Sequence, residues 1–202
     1  MSPEPPEPMN PDLNAFLTSE LDAHRAAVAS LGVEALAPLA RLIEACAAAV
    51  RAHGKIVLFG NGGSAADAQH LATELTVRYV GDRAPIPGLA LTTDTSALTA
   101  TGNDFSFDEI FARQVEALCG PADVVIGIST SGNSANVLRG LHAAKKAGCV
   151  AAAFGGRDGG GLKGIADPLV IAPADDTARI QELHILMGHM LCAALERELD
   201  LI

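Results

Sequence analysis

The 202-residue sequence predicts an α/β fold: a three-layer αβα sandwich in which helices cover both faces of a roughly five-stranded parallel sheet. Two observations support this prediction. Short apolar runs alternate with longer segments of helical periodicity, which is the order found in βαβ units. The two strongest apolar runs also end in small polar turns, and ligands of open parallel sheets bind at such strand ends.

Two helices are predicted before the first strand. Asn10 has the character of an N-cap and Pro11 that of a first helical residue, so the first helix is expected to extend to about Ser30. An alanine-rich helix follows as far as Ala52, with Pro38 in its first turn or at a kink.

Strands and helices then alternate up to a long final helix. The strands are predicted near residues 55–59, 88–92, 124–129, 149–154 and 169–171. The helices are predicted near residues 64–79, 107–118 and 134–147, with a shorter one at 96–101 and a final one at 177–199. Residues 1–9, rich in proline and glutamate, are expected to be a disordered tail, and residues 10–202 one domain.

Charge and composition narrow the class of ligand and the compartment. The formal net charge of −10 disfavours nucleic acid and anionic membranes as partners. No apolar run reaches the roughly 18 residues of a membrane span, and the N-terminus lacks the features of a secretory signal. The four cysteines are far apart in sequence, so we expect buried free thiols in a reducing cytoplasm. They are Cys46, Cys119, Cys149 and Cys192.

The most informative segment is the glycine turn, residues 60–64, with the sequence Gly-Asn-Gly-Gly-Ser. It follows an apolar run and leads into a helix, so backbone N–H groups and the helix dipole can bind an anion there. His70 and Glu74 lie four residues apart and therefore share one face of that helix. These two groups can move protons or hold a metal. The alternative is a tight turn that binds no ligand.

A second polar turn, the serine loop of residues 129–134, has the sequence Ser-Thr-Ser-Gly-Asn-Ser. It places four hydroxyl groups before a predicted helix, which can hold a phosphate without lysine or arginine. These hydroxyls belong to Ser129, Thr130, Ser131 and Ser134. The alternative is a well-capped helix, although a single serine would be enough for a cap.

Four motifs together resemble a known family. They are the glycine turn, Gly-Asn-Asp-Phe at 102–105, Ile-Ser-Thr-Ser-Gly-Asn-Ser at 128–134, and Arg-Ile-Gln-Glu at 179–182 followed by His184 and His189. The chain is similar to proteins of the flavodoxin-like sugar isomerase (SIS) fold over about residues 13–199. Within that fold it resembles the sedoheptulose 7-phosphate isomerases, also called phosphoheptose isomerases.

The resemblance implies an aldose–ketose isomerase. It would interconvert sedoheptulose 7-phosphate and D-glycero-D-manno-heptose 7-phosphate through an enediol, the first step toward nucleotide-activated heptose. The serine loop would hold the phosphate, Glu74 would be the base and His189 the acid. Alternatively, Glu74 is a solvated helix residue and His189 a core histidine. The residues expected to contact the sugar are Asn61, Gly62, Gly63, Glu74, Asn103, Asp104 and Gln181.

The family also implies a homotetramer with sites between subunits, and zinc in some members. The positions that match the zinc ligands are His70, Glu74, Gln181 and His189. Gln181 and His189 are separated by about 12 Å along an ideal helix. One Zn²⁺ per site therefore needs a bend at Gly188, a ligand from another subunit, or His184 as a substitute. A glutamate bound to zinc would also be a weaker base.

Two other functions compete with this interpretation. One is a non-enzymatic relative that binds the bacterial replication initiator protein, a branch in which the positions of Glu74 and His189 carry residues unfit for acid–base work. The other is an isomerase of a different sugar phosphate, because Gly155-Gly156-Arg157 departs from the Thr-Gly-Lys usual in the family.

Overall fold

The structure, a computed structural model, describes residues 10–202 and contains one five-stranded sheet. The strands are β1 (Ile56–Gly60), β2 (Gly88–Ala90), β3 (Val124–Ser129), β4 (Val150–Gly156) and β5 (Leu169–Ala172). Their order in the sheet is β2-β1-β3-β4-β5, and every pairing is parallel. The predicted α/β fold with a five-stranded parallel sheet is confirmed. The tail predicted at residues 1–9 lies outside the described residues.

Seven α-helices surround the sheet in the part of the chain that the structure describes. They are α1 (Pro11–Ala29), α2 (Val33–Arg51), α3 (Gly63–Thr76), α4 (Thr95–Asp104), α5 (Ala112–Leu118), α6 (Ala135–Lys146) and α7 (Thr177–Glu198). Helices α2, α3 and α7 pack on one face and α5 and α6 on the other, which divides the apolar core into two clusters. Strands β1 and β3 are buried on both faces, as expected for a covered parallel sheet.

The predicted N-terminal helices are present, and of the two positions predicted for Pro38 the first turn is wrong. Asn10 accepts a hydrogen bond from the backbone N–H of Asp12 and so caps α1, with Pro11 as its first residue. Pro38 is the sixth residue of α2 and lies beyond the first turn, inside an otherwise continuous helix. The helix begins at Val33, directly after Gly32, and proline there costs one backbone hydrogen bond without ending the helix.

Other differences from the predicted elements are confined to their ends. The helix predicted at 107–118 is a short 3₁₀ turn, Phe107–Glu109, followed by α5. Helix α3 ends at Thr76 because the chain turns toward α7 and Arg83 takes up carbonyl groups of the last turn. Cys46, Cys149 and Cys192 are buried free thiols as predicted, whereas Cys119 is only partly buried.

Helix α1 exposes an apolar stripe. Its exposed large side chains are Leu13, Phe16, Leu17 and Leu21. Among residues 10–202, no single helix has both the length and the apolar composition to cross a membrane. Helices α1 and α2 meet those criteria only together, bent by 69° at their junction.

Candidate active site

The glycine turn connects the carboxyl end of β1 to α3. Gly62 precedes the helix with a φ of +56°, a conformation that favours glycine. At Gly60, a Cβ atom would lie 2.8 Å from the carbonyl oxygen of Ile128, so only glycine allows β1 and β3 to approach each other there. The turn therefore brings backbone N–H groups and Asn61 to the carboxyl edge of the sheet, as predicted.

The serine loop lies beside it, at the end of β3. Ser129 Oγ and Ser134 Oγ are 3.2 Å apart, and the backbone N–H of Asn133 donates to Ser131 Oγ at 3.2 Å. Ser134 precedes α6 but makes no side-chain capping bond to it. The hydroxyl groups of Ser129, Ser131 and Ser134 thus make contacts within the loop, which disfavours the simple helix-cap interpretation.

The turn that follows β4 packs against the serine loop. Gly132 has a φ of +69°, and a Cβ atom on it would lie 2.3 Å from the carbonyl oxygen of Gly159. Asn133 Oδ1 accepts a hydrogen bond from the backbone N–H of Gly161 at 2.9 Å. The loop conformation therefore depends on glycine at position 132 and on the turn after β4.

A pair of amides joins the two turns. Asn61 Nδ2 donates to Asn136 Oδ1 at 2.8 Å, and Asn136 Nδ2 donates back to Asn61 Oδ1 at 2.9 Å. Asn136, only 2% exposed, was not among the predicted site residues. A buried amide needs a partner, so an asparagine in the first turn after a ligand loop was the available signal.

His70, Glu74 and His189 come together on α3 and α7, and we refer to them as the histidine cluster. His70 Nε2 lies 2.9 Å from His189 Nε2 and 3.5 Å from Glu74 Oε1. One imidazole donates and the other accepts in this contact, so the pair can share a proton. His189 is half-buried rather than enclosed, and the His70 and Glu74 side chains are 49% and 20% exposed.

Helices α3 and α7 approach closely because glycines lie at their contact. A Cβ atom on Gly63 would lie 2.6 Å from Gln181 Nε2, and one on Gly188 would lie 2.6 Å from Leu71 Cδ1. Gly188 therefore allows close packing, and α7 continues through it without a break. The order of these contacts shows that the two helices run side by side in the same direction.

The four positions expected to hold zinc do not all meet. Gln181 lies beside Gly63, seven residues before His70 and so about 10 Å along α3 from the cluster. Within residues 10–202, no three His, Cys, Asp or Glu side chains are spaced as metal ligands. The imidazole separation of 2.9 Å is that of a hydrogen bond. Zinc with bonds of about 2.0–2.1 Å would separate the two nitrogens to about 3.3 Å.

The surroundings of the cluster are part apolar and part acidic. The Tyr79 ring lies 5.4 Å from the His189 ring, centroid to centroid. Asp67 lies one turn before His70 on α3 and has one carboxylate oxygen that is buried without a hydrogen-bond partner. Burial raises the pKa of Asp67, and the nearby His70 partly opposes this.

His184, the alternative zinc ligand, lies elsewhere. Its side chain is buried, its Nε2 lies 2.9 Å from the carbonyl oxygen of Gly155, and its ring packs near Phe154. Burial lowers the pKa of His184 to about 4, against the effect of that hydrogen bond. The imidazole is therefore neutral at pH 7 and its Nε2–H donates to the carbonyl. His184 is a core residue and does not join the cluster.

The predicted sugar contacts on α4 lie at the surface. Asn103 and Asp104 are exposed at the end of that helix, where Asn103 Nδ2 donates to Asp104 Oδ1 at 2.8 Å. Among the described residues, no hydrogen bond connects them to either polar turn. A cleft of about 200 Å³ does lie at the glycine turn, lined in part by Asn61, Thr92 and Phe107.

Comparison with known proteins identifies a family. The SIS domain family matches residues 21–156. The phosphoheptose isomerase of Paramagnetospirillum magneticum is 56% identical over 181 residues, which are 90% of this chain and 94% of that protein. That of Aquifex aeolicus is 57% identical over 150 residues, 74% of this chain and 78% of that protein.

Solved structures agree with this result. The phosphoheptose isomerase of Neisseria gonorrhoeae superposes with a TM-score of 0.83 at 41% identity, covering 91% of this chain and 99% of that one. The phosphoheptose isomerase of Francisella tularensis gives a TM-score of 0.82 at 32% identity, covering 92% and 97%. The chain therefore belongs to the SIS domain proteins and, within them, to the phosphoheptose isomerase family.

Proposed function

We propose that this chain is a phosphoheptose isomerase that interconverts sedoheptulose 7-phosphate and D-glycero-D-manno-heptose 7-phosphate through an enediol. The observation that carries the proposal is the meeting of a carboxylate and two imidazoles on α3 and α7 in a chain 56% identical to a phosphoheptose isomerase. A protein that only bound a partner would have no need of such a group of titratable side chains.

The serine loop is the phosphate site in this proposal. Its hydroxyl groups directly precede α6, where unpaired backbone N–H groups and the helix dipole favour an anion. The net charge of −10 makes such a local device necessary, because the protein as a whole repels a sugar phosphate. Asn61 and the glycine turn, joined to this loop through Asn136, contact the sugar hydroxyls.

The histidine cluster carries out the proton transfers in this proposal. Glu74 removes the proton from the carbon next to the carbonyl and returns it to the neighbouring carbon, which produces the enediol in between. His189 moves the proton between the two sugar oxygens. Its contact with His70 allows the proton to be shared with a second imidazole, and His70 in turn faces Glu74.

A zinc ion is compatible with the cluster in donor type. Two imidazole nitrogens and one carboxylate oxygen are common zinc ligands, so His70, His189 and Glu74 would hold it. The role proposed from sequence for Gln181 needs movement of this side chain or a site completed by another subunit. When bound, zinc would replace the hydrogen bond between the two imidazoles and polarise a sugar oxygen as a Lewis acid, so proton sharing through His70 belongs to the metal-free cluster.

The same proposal includes a homotetramer in the cytoplasm with active sites between subunits. The support for the tetramer is the apolar stripe of α1, whose four large side chains are exposed in the single chain and could be covered by a second copy. The free state of all four cysteines is compatible with a reducing compartment.

The decisive experiment is conversion of sedoheptulose 7-phosphate by the purified chain in D₂O, followed by NMR. We expect the aldose product with solvent deuterium on the carbon next to the carbonyl, and loss of turnover after chelation that added zinc restores. Turnover that survives chelation would remove the zinc from the proposal. If the folded, zinc-supplied protein isomerises only another sugar phosphate, the substrate is wrong, and no isomerisation of any sugar phosphate would favour the binding protein.

A further inference from the structure

The segment between α3 and β2 is held by a buried ion pair that the proposed reaction does not use. Arg83 Nε donates to Glu196 Oε1 at 2.8 Å, and the side chains are 1% and 0% exposed. Arg83 comes from the irregular segment after α3, and Glu196 lies near the end of α7. Burying two charges is costly unless their remaining hydrogen-bonding capacity is used.

Glu196 is satisfied by the backbone of this segment. Its Oε1 accepts from the N–H of Tyr79 at 3.0 Å, and its Oε2 accepts from those of Val80 and Gly81, both at 3.3 Å. Burial would raise the pKa of the Glu196 carboxyl, but the hydrogen bonds from Tyr79, Arg83 and the adjacent N–H groups keep it below its ordinary value. The carboxylate is therefore ionised and binds one turn of otherwise irregular chain.

Arg83 is satisfied by the end of α3. Its Nη2 donates to the carbonyl oxygen of Glu74 at 2.8 Å, and its Nη1 donates to those of Leu75 at 2.8 Å and Ala84 at 2.9 Å. The last carbonyl groups of a helix have no partner within it. The planar guanidinium thus binds the last turn of α3, which includes the residue proposed as the base.

Both residues of the ion pair are connected to the histidine cluster. Arg83 binds the backbone of Glu74 itself. Glu196 follows His189 by seven residues on α7, so both lie on the same face about 10 Å apart. Tyr79, whose N–H is bound by Glu196, places its ring 5.4 Å from that of His189.

We propose that Arg83 and Glu196 are positioning residues for the isomerisation: they fix the end of α3 against α7 and thereby hold Glu74 and His189, with Tyr79 packed on His189, at the separation that proton transfer needs. This inference rests on the proposed function. A contact that served stability alone could be made by apolar side chains at lower desolvation cost, whereas this one binds the backbone of a reacting residue.

Glu196→Gln is the primary test, and the chain offers a matched control. Asp123 is also a buried carboxylate, and it accepts from Lys55 Nζ at 2.7 Å and from the N–H groups of Lys55 and Gly120 at 2.9 and 2.8 Å. It lies directly before β3, and its partners belong neither to α3 and α7 nor to the segment between α3 and β2. Asp123→Asn therefore removes the same charge from a buried, hydrogen-bonded carboxylate that makes no contact with the histidine cluster.

Two measurements separate positioning from stability. The first is kcat and KM for sedoheptulose 7-phosphate. The second is tyrosine fluorescence, which reports on Tyr79 alone because the chain has one tyrosine and no tryptophan. We expect both variants to melt at lower temperature. Only Glu196→Gln should lose kcat, by about 10- to 100-fold with KM changed little, since misplacement of about 1 Å can cost that much. Only this variant should alter the Tyr79 signal.

A folded Glu196→Gln protein with wild-type kcat, or equal kcat losses in both variants, would overturn the inference. If Glu196→Gln does not fold, Arg83→Lys decides the question. It keeps the charge next to Glu196 but cannot reach the carbonyl groups of Glu74 and Leu75 together. Unchanged kcat and fluorescence in Arg83→Lys would refute the inference. A wild-type chain without turnover would refute the isomerase function instead, and the Tyr79 signal would still show whether the pair fixes α3 against α7.

Discussion

The serine loop and the histidine cluster obtain their geometry in different ways. The loop is made of six consecutive residues whose hydroxyl and amide groups bind one another and the turn just after β4. The cluster draws two residues from α3 and one from α7, more than a hundred positions later, and its distances depend on how two helices pack. The geometry of the proposed phosphate site is therefore a local property of the chain, whereas that of the proposed acid–base site depends on how two helices pack.

This contrast predicts different consequences of mutation in the two regions. Changes in the loop should weaken substrate binding and leave the chemical step intact. Changes in the cluster, or in what holds it, should act on kcat. Variants at Glu74, His184, the serine loop and Asn136 probe the two regions, in order of decreasing expected effect.

Glu74→Gln removes the base and keeps the size and polarity of the side chain. We expect kcat to fall by roughly 10²- to 10⁴-fold, as is typical for the loss of a general acid–base group. KM and the melting temperature should change little, which steady-state kinetics and calorimetry would establish. If turnover is retained, the cluster is not the site of proton abstraction and the contrast fails.

The buried His184, which binds the carbonyl of Gly155 at the end of β4, should make the stability of the protein depend on pH. Because its folded-state pKa of about 4 lies below the ordinary 6.5, the unfolded chain takes up a proton first as the pH falls. The free energy of unfolding should therefore decrease between pH 6.5 and 4, by a contribution on the order of 3 kcal/mol.

The matched variant for this test is His184→Gln, whose amide can still donate to the carbonyl of Gly155. Urea unfolding at several pH values should show a shallower decline for the variant. Parallel curves for the two proteins over this pH range would mean that His184 already carries its proton in the fold.

Replacement of Ser129 and Ser131 by alanine tests the loop directly. Hydrogen bonds to a charged group contribute about 1.5–3 kcal/mol each at most, and part of this is replaced by water and by the helix dipole. We expect KM for the sugar phosphate to rise by about 10- to 100-fold with kcat nearly unchanged. A fall in kcat at constant KM would mean that these hydroxyls act in the chemical step. The loop and the cluster would then not differ in the way proposed.

Asn136→Asp tests the connection between the two polar turns. The carboxylate has nearly the shape of the amide but cannot donate to Asn61 Oδ1, so two acceptors would face each other. We expect the free energy of unfolding to fall by about 1–3 kcal/mol, the cost of a buried polar group without its partner. Chemical denaturation measures this. An unchanged stability would show that the turns are positioned by the strands alone.

Much of the structure around the serine loop could be predicted from sequence, because the residues that form it are neighbours along the chain. The hydroxyl-rich turn, the following helix and the preceding apolar strand are contiguous, and parallel strands bring their carboxyl ends to one edge. The prediction of an unfavourable distance between Gln181 and His189 was also sound, because α7 is uninterrupted and the two residues contact different turns of α3.

The packing of the helices could not be predicted in the same way. From sequence, Gly188 could allow a bend in α7. In the structure α7 is continuous, and Gly188 instead allows Leu71 of α3 to approach it closely. Arg83 and Glu196 carry no pattern in the sequence, since their partners are backbone groups of an irregular segment. Asn136 was missed because its partner, Asn61, is distant along the chain. Each of these contacts follows from the tertiary arrangement, which periodicity does not encode.

The sheet order has a consequence for how such an enzyme can diversify. Strands β1 and β3 are neighbours in the sheet but are joined by a long connection. This connection contains α3, β2, α4 and α5, and it reaches one edge of the sheet at β2 before it returns to β3. The exposed Asn103 and Phe105, on the outer part of that connection, form no hydrogen bond to either polar turn, so an exchange or insertion there should leave both turns in place. If the serine loop binds phosphate as proposed, substrate choice can evolve on this connection without a change in the phosphate site.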